Sequence, residues 1–409
     1  MGVDKPSSAL RIVLLGPSGN IGGAERVLLD CVQVSDGYPG AELSVISLGG
    51  GPLVAAVNEL GAHSAVVRPP ASLAALGDSF ASAGSVVLRM LPVIAGSPAF
   101  MRRFSRALSA FSPDLVHSHG IKTHVLGALL SSRTPVIWHI HDYLSLRSVS
   151  ARLLALLSRR CSLAIAVSES VAADARRCLP DHLRVHVVHN SVNTEAFRPE
   201  GPAADLDTMS GLQPAPEGTI RIGLPATFAR WKGHETFLDA LSKLDRPQVR
   251  GYVIGAPLYG TENSQWSQPE LASVVKRLGL DGRIGFTGLI DDMPAAYRAL
   301  DIVVHASTRP EPFGLVIVEA MACGRALVAM QDGGAGELFV PERHALTARP
   351  GDAGSLVAAL RRLVDQPEER AALGLRARSH VVATFGRERF ATNLRAALSS
   401  ALPAVAGVR

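Results

Sequence analysis

RIVLLGPSGNIGGAERVLLDCVQV, residues 11–34, contains three kinds of segment in a fixed order. RIVLLG is a short, continuous apolar run, the mark of a strand buried on both faces. A glycine-rich loop follows, and then a helix-length segment begins at Ala24. The same alternation continues outward. ELSVISL, HSAVV, DLVHSHG, PVIWHIHD, LAIAVSES and VHVVHNS are apolar runs, mostly with helical stretches between them. Apolar strands separated by helices predict a parallel sheet covered on both faces.

Residues 199–218, PEGPAADLDTMSGLQPAPEG, lack apolar periodicity and are rich in Pro, Gly and Ala, which is a linker composition. The alternation then restarts with TIRIGLPA, GYVIGA, RIGFTG, DIVVHAS and ALVAM. A chain of 409 residues is too long for one ordinary core. The expected architecture is α/β, with two Rossmann-like doubly wound domains over 1–198 and 219–385, the linker between them, and a C-terminal helix in 386–409 packing back toward the N-terminal domain. Ligands then belong at the carboxyl ends of the strands, in a cleft where the two halves face each other.

The net charge is +5, but no Lys/Arg block occurs. That balance fits anionic small molecules, or peripheral contact with an anionic membrane, and speaks against nucleic acid. None of the four cysteines, Cys31, Cys161, Cys178 and Cys323, is spaced for zinc, and each reads as a small core residue in a reducing compartment. The N-terminus lacks a signal peptide's apolar stretch, and Pro6 stands where a myristoylation signal wants Ser or Thr. The best apolar run, SVVLRMLPVIAG at 85–96, is too short to span a bilayer and contains Arg89 and Pro92. It lies in an Ala/Ser-rich, amphipathic excursion over 70–110. A cytoplasmic protein is expected, peripheral to a membrane at most.

Four constellations carry chemistry. Gly19–Gly23 join a strand to a helix. Such a loop either lets backbone N–H groups approach a phosphate or simply makes a tight turn. Arg230 and Lys232, in ARWKGHETF, sit just past a strand and suit an anion. In RPEPFGLVIVEAMACG, residues 309–324, Pro312 places Glu311 outside a helix, and the amides of Gly314, Leu315 and Val316 are donors without helical partners. Glu319 is a lone carboxylate in that apolar helix. An unpaired buried carboxylate costs several kcal/mol, so either a ligand diol, such as ribose, or a protein partner such as Arg325 or a backbone amide must complete its shell. The fourth constellation is histidine. HSH (117–119) and HIH (139–141) end two strands, with Asp142 next. Residues at i and i+2 share a face, so either pair could bind a metal. A single acid, base or hydrogen-bond donor is the simpler reading, with His117 and His139 structural.

EPFGLVIVEAMACG resembles the E-x(7)-E motif of retaining glycosyltransferase family 4, with Glu311 and Glu319 at its ends. GGAERVLLD, VHSHG, HIHDY, HNSVN, ARWKGHETF and FTGLIDDMPAAYRALDIVVHAS follow in that family's order, so the resemblance covers nearly the whole chain. It implies a GT-B fold that takes a nucleoside-diphosphate sugar as co-substrate, with no cofactor and no metal required. The N-terminal domain would be the acceptor side and the C-terminal domain would bind the donor. Gly22 and Gly23 would present amides to the donor diphosphate, Arg230 and Lys232 would neutralise it, and Gly314 and Leu315 would complete the phosphate site. Glu319 would hold ribose, and Glu311 the transferred sugar. Asn190 and Phe313 fall on the donor side, and His119, His141 and Asp142 on the acceptor side. His141, Arg230, Lys232 and Glu311 are the expected catalytic residues. The family often has Arg where this chain has Thr227, and Arg230 could substitute for it.

The activity so implied is retaining transfer to a carbohydrate or lipid-linked glycan acceptor, in cell-surface polysaccharide or glycoconjugate biosynthesis. Its rivals are a sugar phosphorylase or nucleotide-sugar epimerase on the same fold, a metal hydrolase, and a non-catalytic nucleotide-sugar-binding partner.

Overall fold

The computed structural model describes residues 9–34, 38, 40–70, 98–131, 134–257 and 264–401. Most of the 70–110 excursion, including the run at 85–96, lies outside them. Two compact units divide the chain: Met1–Ser191 with Arg387–Arg409, and Val192–Gly386.

The first unit alternates strand and helix from its start. Strands β1 (Leu10–Gly16), β2 (Ala41–Ser47) and β3 (His63–Val66) come with helices α1 (Gly23–Gln33) and α2 (Pro52–Glu59). Next come α3 (Pro98–Phe111), β4 (Leu115–His119), α4 (Ile121–Leu130) and β5 (Val136–Ile140). Then follow α5 (Ser148–Leu157), β6 (Cys161–Ala166), α6 (Glu169–Cys178) and β7 (Val185–Val187). The seven strands form one parallel sheet in the order β3-β2-β1-β4-β5-β6-β7. The order reverses between β1 and β4, the switch point where open α/β sheets bind ligands.

The second unit contains α7 (Leu206–Met209), β8 (Ile220–Pro225), α8 (His234–Lys243), β9 (Val249–Ile254), α9 (Gln268–Arg277) and β10 (Ile284–Gly288). It continues with α10 (Met293–Arg298), β11 (Ile302–His305), α11 (Leu315–Ala322), β12 (Ala326–Met330) and β13 (Leu346–Ala348). Helices α12 (Ala353–Asp365) and α13 (Pro367–Phe385) close it. Its parallel sheet has the order β10-β9-β8-β11-β12-β13, again with a switch, between β8 and β11.

Residues 199–218, read as a linker, lie within this second unit. Asp207, 5% exposed, ties the segment to the sheet. It accepts hydrogen bonds from Arg250 (2.5 Å), Tyr252 (2.6 Å) and Arg221 (3.3 Å). Burial opposes its ionisation, but the bonds from Tyr252, Arg250 and the Ala215 amide outweigh that and hold the carboxyl down at about 2.

The last helix, α14 (Arg387–Ala401), belongs to the first unit. It buries Phe390, Leu394 and Leu398 in the cluster that holds Ile12, Leu14 and Leu28. Arg387 pairs with Asp30 at 3.2 Å. Among the described residues, no helix is long and apolar enough to cross a membrane.

Candidate active site

Two groups of side chains, one in each unit, collect the charged and polar residues that the sequence singled out. The second unit holds the denser one. Lys232 ends a short 3₁₀ turn, Arg230–Lys232, between β8 and α8. Gly233 follows with φ of +77°, and a Cβ there would come within 1.9 Å of the Ala306 carbonyl oxygen. Only glycine tolerates both the left-handed conformation and that approach. The turn is thereby clamped onto the end of β11, which aims Lys232 at the loop carrying Glu311. The Lys232 ammonium donates to Glu311 Oε2 at 2.6 Å. Ser307 Oγ donates to the same oxygen at 2.8 Å, and His305 Nε2 lies 3.2 Å from it.

Glu311 is 7% exposed. Burial alone would raise its carboxyl; the Lys232 ammonium and the His305 contact overcome this and hold it well below the ordinary range, so it is ionised. Its backbone is also fixed, with the Gly334 N–H donating to the Glu311 carbonyl at 2.8 Å. His305 and Ser307 were not anticipated. They sit two apart at a strand end, the same spacing that flagged HSH and HIH.

Helix α11 begins at Leu315, with Gly314 as its N-cap, two residues later than the apolar run suggested. Its first-turn amides lack helical partners by construction. Glu319, 8% exposed, accepts a hydrogen bond from the Tyr297 hydroxyl at 2.8 Å. Tyr297 is in α10, fully buried. Arg325, one suggested partner for Glu319, instead donates to the carbonyls of Cys323 and Leu300.

Two donor-side residues have protein partners. Arg230 bonds Glu270 at 2.8 Å and lies over the Trp266 ring, 3.8 Å from its centroid, so its charge already has partners. Phe313 is 3% exposed and packs edge-on against Phe385, which makes it a core residue.

In the first unit, Gly22 caps α1, and its N–H donates to Glu25 Oε2 at 3.1 Å. While Glu25 holds that N–H, Gly22 cannot offer it to a phosphate. Glu25 also accepts from Ser18 at 2.9 Å, and burial raises its carboxyl against those bonds. Gly23 opens the helix, with nothing within 4 Å of a Cβ placed there. Gly19 has a packing reason: a Cβ there would lie 2.3 Å from the Gly50 carbonyl oxygen.

His141 follows β5, partly exposed, with Nε2 3.1 Å from His119 Nδ1. Burial brings its imidazole down to about 3, so it is neutral. His119 is completely buried. Asp142 pairs with Arg147 at 2.9 Å. Asn190 is 5% exposed, and its Oδ1 has no hydrogen-bond partner within the described protein.

Two parallel doubly wound units form a GT-B fold, and the second carries a lysine–carboxylate pair beside a helix N-terminus. Residues 21–196 match the family model described as Glycosyltransferase Family 4, and residues 210–380 match Glycosyl transferases group 1. The chain belongs to this glycosyltransferase family and is an enzyme of that class.

Among curated relatives, it is 29% identical to D-inositol 3-phosphate glycosyltransferase 2 of Catenulispora acidiphila, over 67% of each chain. It is 30% identical to the lipopolysaccharide core biosynthesis mannosyltransferase LpcC of Rhizobium leguminosarum, over 53% of this chain and 60% of that one. Among solved structures, Anabaena Alr3699/HepE in complex with UDP-glucose superposes with a TM-score of 0.80 at 25% identity, over 96% of this chain and all of that one.

Proposed function

We propose that the protein is a retaining, metal-independent glycosyltransferase. It would move a sugar from a nucleoside diphosphate to a carbohydrate or lipid-linked glycan in cell-surface polysaccharide or glycoconjugate synthesis. The observation that carries this reading is the Lys232–Glu311 pair beside the N-terminus of α11. A similar structure in complex with UDP-glucose supports the donor class.

As the glycosidic bond breaks, negative charge gathers on the leaving diphosphate. Lys232 and the first-turn amides of α11 are fixed donors that stabilise it without reorganising. An ammonium has three N–H groups, so Lys232 can hold Glu311 and a phosphate oxygen together. Glu311, kept ionised, accepts hydrogen bonds from the transferred sugar. Glu319 holds the ribose diol. His141, neutral and partly exposed, serves the acceptor side. Retention proceeds by front-face attack through an oxocarbenium-like state, as the family resemblance implies. Because Arg230 already has partners and Thr227 replaces the family's arginine, Lys232 carries most of the diphosphate's charge.

The work takes place at the cytoplasmic face of a membrane. Arg102, Arg103 and Arg106 of α3 are exposed, and this cluster of cations supports a peripheral contact with anionic lipid.

A panel of nucleoside-diphosphate sugars, read by diphosphate release with glycan and lipid-linked acceptors present, tests the proposal. Lys232→Ala should lower turnover more than tenfold, for a charge-assisted contact of about 1.5–3 kcal/mol. A folded variant with the wild-type rate would sink the phosphate role.

A further inference from the structure

The histidines that end β4 and β5 pose a separate problem. The parallel register pairs His119 with His139 across the two strands, and their ring centroids are 4.9 Å apart. Both side chains are completely buried. His119 Nδ1 is engaged by His141, which leaves Nε2 without a partner. Neither ring nitrogen of His139 has a hydrogen-bond partner within the described protein. A buried polar atom left unpaired costs roughly 1–3 kcal/mol, and here three such nitrogens sit together. Helix α1 places Cys31, also fully buried, beside them. The ligand atoms of Cys31, His119 and His139 all lie within 4.8 Å of one another.

We propose that Cys31, His119 and His139 bind a zinc ion that ties α1 to the ends of β4 and β5. A thiolate and two imidazoles are donor types that zinc takes, and a buried water can fill the fourth tetrahedral position. Zn–S near 2.3 Å and Zn–N near 2.0–2.1 Å put tetrahedral ligand atoms roughly 3.3–3.6 Å apart, so atoms within 4.8 Å of one another need close by at most roughly 1.2–1.5 Å. His119 has the partner that ligating histidines have. Its Nδ1 can donate to His141 Nε2 while Nε2 faces the metal, which fixes both tautomers. The Tyr38 hydroxyl, hydrogen-bonded to Cys31 and 2.7 Å from His117 Nδ1, can complete the shell.

Binding is an exchange of a proton for the metal. Zn²⁺ displaces the Cys31 thiol proton to solvent, and no redox change occurs. Burial of all three ligands makes the ion structural, taken up as the unit folds, and it acts on His141 only by positioning it. The inference stands apart from the donor chemistry, since its ligands belong to the other unit.

Metal content of purified full-length protein, and of protein refolded with zinc, should approach one zinc per chain. Cys31→Ser should lose it, and Cys161→Ser, a change at another buried thiol of the same unit, should keep it. Refolding wild-type protein with Co²⁺ alone should give a sulfur-to-cobalt charge-transfer band, which Cys31→Ser abolishes. If Cys31→Ser does not fold, His139→Gln gives the same readings, and the wild-type cobalt band still reports thiolate ligation. Wild-type protein that binds neither ion overturns the proposal, as a buried water on the same nitrogens would predict. So does zinc retained by folded Cys31→Ser.

Discussion

Glu319→Gln separates the two accounts of a carboxylate inside an apolar helix. The Tyr297 hydroxyl donates to it at 2.8 Å, so part of its shell is protein. Tyr297→Phe removes that bond and the longer one to the Val316 carbonyl at 3.5 Å. A hydrogen bond to a charged group contributes roughly 1.5–3 kcal/mol. For a unit of this size, each kcal/mol moves the melting temperature by about 2–4 °C, so Tyr297→Phe should lower it by roughly 3–12 °C. Glu319→Gln keeps an acceptor for Tyr297 but removes a buried charge. Its ligand-free stability should change little or rise.

The donor side should respond differently. A ribose diol that bonds both carboxylate oxygens loses the charged acceptor and the bidentate geometry. Nucleoside-diphosphate affinity should fall by about 1.5–3 kcal/mol, roughly 10- to 150-fold. Thermal melts with and without nucleoside diphosphate, plus calorimetric affinities for both variants, give the answer. A Glu319→Gln protein that is destabilised while its affinity is unchanged would refute the ribose role and make the carboxylate structural.

Asp207→Asn should lower stability at neutral pH by about 2 kcal/mol. The Asp207 carboxyl is held down at about 2 in the folded protein, so wild type keeps this contribution above about pH 4 and loses it as pH falls toward 2. Melting curves across that window should converge, and parallel curves would count against the Arg221–Arg250–Tyr252 cradle. Catalysis should survive EDTA without added Mg²⁺ or Mn²⁺. A rate that either ion restores would argue for a metal at the diphosphate, and zinc analysis of the same sample shows whether the Cys31 site was also stripped.

Both sheets were legible because parallel strands buried on two faces leave continuous apolar runs, as in RIVLLG and DIVVHAS. Strand β13 was not, because Leu346–Ala348 is only a three-residue edge. Glu311, Glu319 and Lys232 were legible as charges in apolar or loop contexts that need a reason. Their partners were not. Tyr297 stands 22 residues from Glu319, and Lys232 stands 79 from Glu311. Periodicity reports which face of an element is buried, and tertiary packing decides which side chains meet there. In the Gly22 loop, Glu25, three residues on, reaches back and accepts from the amide, a capping-box habit that competes with any ligand. Asp207 shows a further limit, since a Pro/Gly-rich stretch can still be pinned by one well-bonded carboxylate.

The Lys232–Glu311 pair is a poor device for stability alone. A buried ion pair roughly breaks even against apolar residues of the same volume, because desolvating two charges offsets their attraction. Here Ser307 and His305 add further polar groups around one oxygen of Glu311, and Gly233 takes the left-handed conformation and close approach that hold the Lys232 turn against Ala306. Such an arrangement is disproportionate for a structural pair. It suits a cation that must stay in one place while charge develops nearby, because a preformed dipole does not reorganise during the reaction. The carboxylate then does two things at once: it holds the ammonium still, and it keeps an ionised acceptor beside the N-terminus of α11.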